Sequence, residues 1–294
     1  MAERGPVMAV VVSSHDRLRD LERCLEALAE LQDRVEAVVV DSASPEPERV
    51  SELVARFSGR MALRCVREPL PGLSRARNRG VAETEHELVA FVDDDAMPAP
   101  DWAGRLAAAF TDTDVGCAGG TCRPAFEAER PRWLSDRLLQ FSGITRFGAA
   151  ARDAETSADY PFGANIAFRR AALAEVGGFS ERLGRIGASL LSGEEHAVMD
   201  DLRAAGWRIR LRPDAVVDHL VPAARCRSSY YWRRLWWQGV SRARQRRSAA
   251  LAARLAAAAP VRLALWAATR DRVYLYRVAE TAGYLADAVR PARL

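Results

Sequence analysis

No lysine occurs anywhere in the 294 residues, so all 43 basic side chains are arginine. That absence excludes several chemistries. A P-loop nucleotidase holds its phosphates with a lysine, a pyridoxal enzyme forms a Schiff base on one, and a protein kinase grips the α- and β-phosphates with one. The five cysteines, Cys24, Cys65, Cys117, Cys122 and Cys226, include no CxxC pair, which indicates neither a zinc ribbon nor a disulfide framework. Reduced thiols in a cytoplasmic protein are expected. An excess of one charge is also lacking. The formal net charge is only +4, and no nucleic-acid partner is expected. The longest apolar run, residues 249 to 269, is mostly alanine, carries Arg254 and Arg262 and is interrupted by Pro260, so it does not read as a membrane span. The opening MAERGPVMAVVV has too short an apolar run, and no small-residue cleavage site, for a signal peptide.

With 49% hydrophobic and 28% charged residues, the chain has the composition of one large globular domain or two small ones. Residues 8 to 12 form a β-rich apolar run, and Leu18, Leu21, Leu25, Leu28 and Leu31 then recur at helical spacing. Further apolar strands are expected at 37 to 40, 62 to 66 and 88 to 92, with a helix from Leu73 through Val81. Alternating helices and continuous apolar strands imply a mostly parallel sheet wrapped by helices. In such sheets ligands bind at the carboxyl ends of the strands, where Asp41 and Asp93 fall. A helix capped by Asp101 follows. Residues 123 to 160 show no sustained period, apart from a short helix expected around Trp133 to Phe141. A helix over 171 to 176 is stopped by Gly177 and Gly178, and Gly193 opens an acidic helix that Gly206 closes. The strand WRIRL and the run AVVDHL come next, and from Ser228 the chain reads as arginine-rich amphipathic helix through Ala288.

Asp93, Asp94 and Asp95 stand together at the end of an apolar strand. Three adjacent carboxylates repel one another, and a hard cation such as Mg²⁺ or Mn²⁺ bridging a diphosphate would relieve them. The alternative is an acidic turn with one Asp capping the next helix.

The ordered motifs around that cluster resemble those of family 2 glycosyltransferases. Residues 9 to 17, AVVVSSHDR, are similar to the family's first strand, and 38 to 44, VVVDSAS, to its VVDDGS. Residues 71 to 80, PGLSRARNRG, resemble PGxSxARNxG, and Asp93 to Asp95 stand where the DxD motif falls. GANIAFRR at 163 to 170 with VGGF at 176 to 179, GEE at 193 to 195, GWRI at 206 to 209, and PDAVVDH at 213 to 219 complete the series. Together they cover roughly residues 8 to 240. Ser13 replaces the family's Pro, Asp16 its Asn, and Ser42-Ala43 its Asp-Gly. No QxxRW signature of the processive synthases is present.

The resemblance implies a GT-A fold over residues 1–225, with a nucleotide-binding half at about 1–122, an acceptor-binding half at about 123–225, and a helical C-terminal extension at 226–294. It implies an inverting, metal-dependent, non-processive transfer of sugar from a nucleoside-diphosphate sugar to a carbohydrate, lipid-linked or small-molecule acceptor. Ser14, His15, Asp41, Arg77, Asp93 and Asp94 would serve the nucleotide. Asp93, Asp95 and His219 would hold Mn²⁺ or Mg²⁺, and Gly163 and Asn165 would line the donor and acceptor pocket. Direct displacement needs a base for the acceptor hydroxyl. The family motif aligns that base with Glu195, with Glu194 beside it. Both glutamates also complement a helix N-terminus, which favours negative charge in any case. A catalytically silent nucleotide-sugar-binding relative is the alternative function, and retention of the carboxylates argues against it. The arginine and aromatic segment from Trp232 to Arg247 suggests either peripheral contact with the inner membrane face or an amphipathic helix packed on the domain. Residues 249 to 288 suggest a helical hairpin that could support a homodimer.

Overall fold

The computed structural model describes residues 7–145, 147–187 and 189–289. Residues 1–6, which open the stretch read above for a signal peptide, and 290–294, which end the expected extension, lie outside the described residues.

The valine run forms β1 (Ala9–Ser14), and α1 (Leu18–Ala29) follows with Leu21, Cys24, Leu25 and Leu28 buried on one face. The alternation continues through β2 (Glu36–Ser42), α2 (Pro47–Ala55), β3 (Ala62–Glu68), α3 (Leu73–Ala82) and β4 (Leu88–Asp93). These strands lie in the order β3-β2-β1-β4, all parallel. Alternate residues enter opposite cores. Val10, Val12, Val39 and Val92 pack in the cluster that includes the leucines of α1, whereas Val11, Val38, Val40 and Phe91 pack in the cluster on the other face. Burial on both faces is why these strands read as unbroken apolar runs. The pattern does not announce α2. It has nine residues, with Pro47 in its first turn, where a missing N–H costs nothing, and only Val50, Leu53 and Val54 buried.

The chain then forms β5 (Ala96–Pro98), α4 (Trp102–Ala107), β6 (Val115–Phe126), α5 (Asp136–Leu139), β7 (Arg152–Asp153), β8 (Ile166–Arg169), α6 (Arg170–Glu175), α7 (Glu194–Ala204) and β9 (Arg208–Val221). The sheet continues from β4 as β8-β6-β9-β5, and the pairs β4 with β8, β6 with β8, and β5 with β9 are antiparallel. The sheet is therefore mixed, with its parallel part in the first four strands. RIRL, which follows Trp207, and AVVDHL lie in one 14-residue strand. Asp101 occupies the N-cap position of α4, but its carboxylate bonds Arg105 instead of the helix backbone. β6 hides behind its glycines. A Cβ on Gly120 would lie 1.8 Å from the Ala215 carbonyl oxygen, so this strand passes its neighbour too closely for the β-branched residues that mark strands.

The chain forms two compact units, one of Met1–Ala125, Gly143–Glu181 and Glu195–Leu220, the other of Phe126–Ser142, Arg182–Glu194 and Val221–Leu294. The second unit contains α8 (Ser228–Gln245), α9 (Ala249–Thr269) and α10 (Arg272–Ala288). It is larger than the extension expected from residue 226, because two earlier segments fold onto α8. Ser142 shares a 2.9 Å hydrogen bond with Tyr231, the Ser192 N–H donates to Ser241 at 3.0 Å, and Gln245 donates to the Gly193 carbonyl at 2.7 Å. Of the irregular stretch 123 to 160, residues 126–142 thus belong with the C-terminal helices.

Between α8 and α10 the helix backbones approach closely. A Cβ on Gly239 would meet the Glu280 carbonyl oxygen at 1.9 Å. Beside this crossing Glu280, 1% exposed, accepts from Arg242 at 2.8 Å and from Arg277 at 2.6 Å. Burial alone would raise the Glu280 carboxyl, but the two arginines outweigh it and hold it below its ordinary 4.5. A lowered folded-state value contributes stability above the ordinary carboxylate range, and the contribution disappears as the pH falls through the folded value. Glu280→Gln is expected to destabilise the protein by about 2 kcal/mol at neutral pH. Thermal melts at a series of pH values should show the gap between wild type and variant closing under acid conditions.

Candidate active site and metal centre

Parallel pairing aligns the carboxyl ends of β1, β2 and β4. Ser14 lies opposite Asp41, and Ser13 opposite Asp93. Just beyond β4 the chain turns into β5, whose antiparallel register with β9 sets Ala96 opposite His219. The Leu220 N–H donates to the Asp95 carbonyl at 2.8 Å. His219 is thereby delivered to a carboxylate 124 residues earlier, with its Nε2 3.0 Å from Asp95 Oδ1.

Each aspartate has a different set of partners. Asp93, about one third exposed, accepts from Arg77 at 3.3 Å. Asp94 accepts from Ser14 Oγ at 2.8 Å and from Arg17 Nη1 at 2.6 Å. Asp95 accepts from Arg17 Nη2 at 2.9 Å through the oxygen that does not face His219. Burial pushes the Asp94 carboxyl up to about 7, opposed by Arg17 and Ser14 and reinforced by Asp95 and Asp93. Arg17, which sequence reasoning placed in the first motif without a role, is the clamp of this cluster. Its one signal was its position directly after β1, level with the end of β4.

The arginines offset much of the carboxylate charge, so the repulsion of three aspartates does not by itself demand a cation. The histidine adds an independent indication. Asp93, Asp95 and His219 offer ligand atoms that all lie within 4.8 Å of one another. His219 is 4% exposed and turns Nε2 toward Asp95, while Nδ1, which has no hydrogen-bond partner among the described residues, lies on the side of the ring that Gly143 covers. Two carboxylates with one imidazole make an oxygen-dominated donor set that fits Mn²⁺ or Mg²⁺. Gly143 packs against the ring, where a Cβ would come within 2.8 Å of Cε1. No motif marks that glycine.

The other predicted residues are placed as follows. Exposed His15 lies with Nδ1 2.7 Å from the Ser42 carbonyl oxygen, which can only accept, so Nδ1 carries a proton. Asp41 is buried and accepts from the Ser44 N–H at 3.0 Å and from Arg67 at 2.6 Å. Arg77 is buried with its guanidinium 5.5 Å from the Phe179 ring centre and packed against Gly163, where a Cβ would lie 2.1 Å from Nη2. Asn165 is wholly buried. It accepts from Trp102 at 2.8 Å and donates to the Ala215 and Thr121 carbonyls at 2.9 and 3.1 Å, so it braces α4, β6 and β9 and has no exposed atom to line a pocket. Glu194 and Glu195 open α7, buried to 3% and 9% exposure. Glu195 Oε2 has no hydrogen-bond partner among the described residues. α7 is held by Val198, Met199 and Leu202 in the core and by the Tyr160 hydroxyl, which donates to Asp200 at 3.0 Å.

Residues 9–177 match the family described as "Glycosyl transferase family 2". The chain belongs to that family. This family 2 glycosyltransferase is 28% identical over 239 residues to a glucosyl-dolichyl phosphate glucuronosyltransferase of Haloferax volcanii, covering 80% of the chain and 75% of that relative. It is 27% identical to a pre-mycofactocin glycosyltransferase of Mycobacterium tuberculosis, over 72% of the chain but only 42% of that protein. Among solved structures, the mannosyltransferase PcManGT of Pyrobaculum calidifontis, in complex with GDP-Man and Mn²⁺, aligns with a TM-score of 0.63 and 23% identity over 97% of this chain and 88% of that one. S. aureus TarS in complex with UDP aligns at 0.54 and 17% identity, over 80% and 64%. These likenesses show a GT-A fold for the family 2 glycosyltransferase.

Arg17→Met should cost about 2 kcal/mol of stability in metal-free protein, because Asp94 and Asp95 lose their shared partner. Added Mn²⁺ is expected to raise the melting temperature of this variant more than that of wild type, as differential scanning calorimetry with and without the ion would register.

Proposed function

We propose that the chain transfers a sugar from a nucleoside-diphosphate sugar to an acceptor hydroxyl, with inversion at the anomeric carbon, using Mn²⁺ or Mg²⁺ held by Asp93, Asp95 and His219. The convergence of those three side chains at the carboxyl edge of a family 2 sheet carries the reading. When bound, the cation supplies positive charge against the departing diphosphate. Arg77, fixed between Phe179 and Gly163, adds a rigid cation beside Asp93. Asp41, His15 and Ser14 form the nucleotide edge, and Arg67 and Ser44 hold Asp41 in one orientation.

Inversion proceeds by a single displacement, so one side chain takes the acceptor proton as the new bond forms. Glu195 is that base. The family motif supports the choice, since Glu194 Oε2 and Glu195 Oε2 are alike in being buried without a hydrogen bond among the described residues. The acceptor is a glycan or lipid-linked saccharide, a class consistent with the dolichyl-phosphate relative. Transfer is non-processive and takes place on the cytoplasmic side of a membrane.

Calorimetry of the purified protein with UDP, GDP and dTDP, each with Mn²⁺ and with EDTA, tests the donor assignment. Metal-dependent binding of one nucleotide is expected, abolished in Asp95→Ala with an unchanged circular dichroism spectrum. A folded wild-type protein that binds none of them would transfer the weight to a silent relative. Once the donor is known, Glu195→Gln should lower kcat by about 10² to 10⁴ with little change in donor affinity. A greater loss in Glu194→Gln would assign the base to its neighbour.

A further inference from the structure

The helix α9 presents its faces in the reverse of the usual order. A surface helix ordinarily packs its apolar side inward and leaves charge in water. Here the inward side includes Arg262, whose Nη1 donates to the Arg277 carbonyl at 3.0 Å and to the Thr281 hydroxyl at 2.5 Å. Leu255 packs beside it against Tyr284, with Leu251 and Ala252 partly buried in the same cluster. Leu255 is the buried residue of this 21-residue helix. Outward, from Ala256 to Ala268, lies an alanine-lined apolar arc with Leu263, 44% exposed, at one edge and Val261, 59%, and Leu265, 39%, at the other, and exposed Arg254 stands on the Val261 side two turns earlier.

The surroundings of this face are cationic. From His219 to Arg270 the chain contains eleven arginines and not one aspartate or glutamate. Some of them are neutralised by α10, as Arg242 is by Glu280 and Arg244 by Asp287. Arg227, Arg233, Arg246 and Arg254 make no ion pair among the described residues. Arg246 and Arg247 precede the N-cap residue Ser248 of α9, with Arg247 3.9 Å from Asp287, and Arg270 immediately follows the helix.

We infer that the outward face of α9 docks on an anionic lipid surface, lying in the interface plane with Val261, Leu263 and Leu265 inserted and the flanking arginines at the headgroups. An apolar strip bordered by Arg246 and Arg270, which make no ion pair among the described residues, complements acidic headgroups above acyl chains. Spanning is disfavoured because Arg262 is committed to α10 and Arg254 lies within the helix. A second copy seated on the same face would bring two acid-free, arginine-rich segments together. The contact differs from the one expected of the aromatic segment in α8, where Trp232 and Trp236 are 39% exposed and Leu235 is buried. It does not depend on the proposed transfer reaction.

Sedimentation of the full chain with sucrose-loaded vesicles of phosphatidylcholine, with or without phosphatidylglycerol, tests this inference. Binding is expected to the phosphatidylglycerol vesicles and to weaken with added salt. The double variant Leu263→Glu, Leu265→Glu should bind about tenfold or more weakly, with an unchanged circular dichroism spectrum because both side chains are exposed. Arg246→Gln with Arg270→Gln should reduce the preference for the acidic lipid. Absence of wild-type binding to these vesicles, or undiminished binding of the leucine variant, would overturn the assignment. So would a wild-type dimer that the leucine variant dissociates while neither protein sediments with lipid, a result that would assign the face to a second copy.

Discussion

The site depends on the need to balance three consecutive carboxylates at the end of a buried strand. Asp94 and Asp95 are almost inaccessible to water, so their charge has to be met by neighbouring side chains. Arg17 meets it from the turn after β1 and His219 from β9, while Arg77 reaches the neighbouring Asp93 from α3. Each must arrive with its element correctly paired. β1 beside β4 brings Arg17 within reach, α3 against β1 brings Arg77, and the antiparallel register of β5 with β9 brings His219. The electrostatics of one turn thus constrain both the parallel and the antiparallel parts of the sheet.

The lack of lysine has a structural counterpart here. Arg17 bonds Asp94 with one terminal nitrogen and Asp95 with the other, so a planar fork spans two carboxylates in a fixed geometry. Arg208 and Arg210 similarly share Asp153 at the start of β9. An ammonium group concentrates its charge at one point and cannot reproduce that spacing. In the C-terminal unit Glu280 is buried between two arginines, and the same strong pairing there fixes one helix crossing.

The C-terminal helices divide their tasks unlike their composition. α8 carries three tryptophans and four arginines, and several of its side chains serve packing: Tyr231 on Tyr276 and Ser142, Arg234 on the Phe141 carbonyl, and Ser241 and Gln245 on the loop before Glu194. The alanine-rich α9 looks inert by comparison. Beyond the exposed Arg254, its outward side is nevertheless uncharged, because Arg262 turns toward α10.

Much of the framework was legible in the sequence. β1, α1, β2, α3 and β4 announce themselves because strands buried on both faces must be continuously apolar and a half-buried helix must repeat at 3.6 residues. The glycine-marked helix starts and stops were equally plain, and the ordered motifs located the acidic turn and the paired glutamates. Local pattern failed where contacts distant in sequence set the residue type. β6 is glycine-rich because another backbone passes it closely, α2 is too short and too charged to show a period, and Asn165 looks like a pocket residue until its three partners are in place. What sequence alone determined was which residues could do chemistry and on which ends of which strands they would fall, since periodicity and turn chemistry are local properties. Only the tertiary structure decided that Arg17 clamps Asp94 and Asp95, that His219 joins them, and that α9 turns its apolar face outward. Those outcomes depend on strand register and helix packing between residues tens to more than a hundred positions apart, which no local pattern encodes.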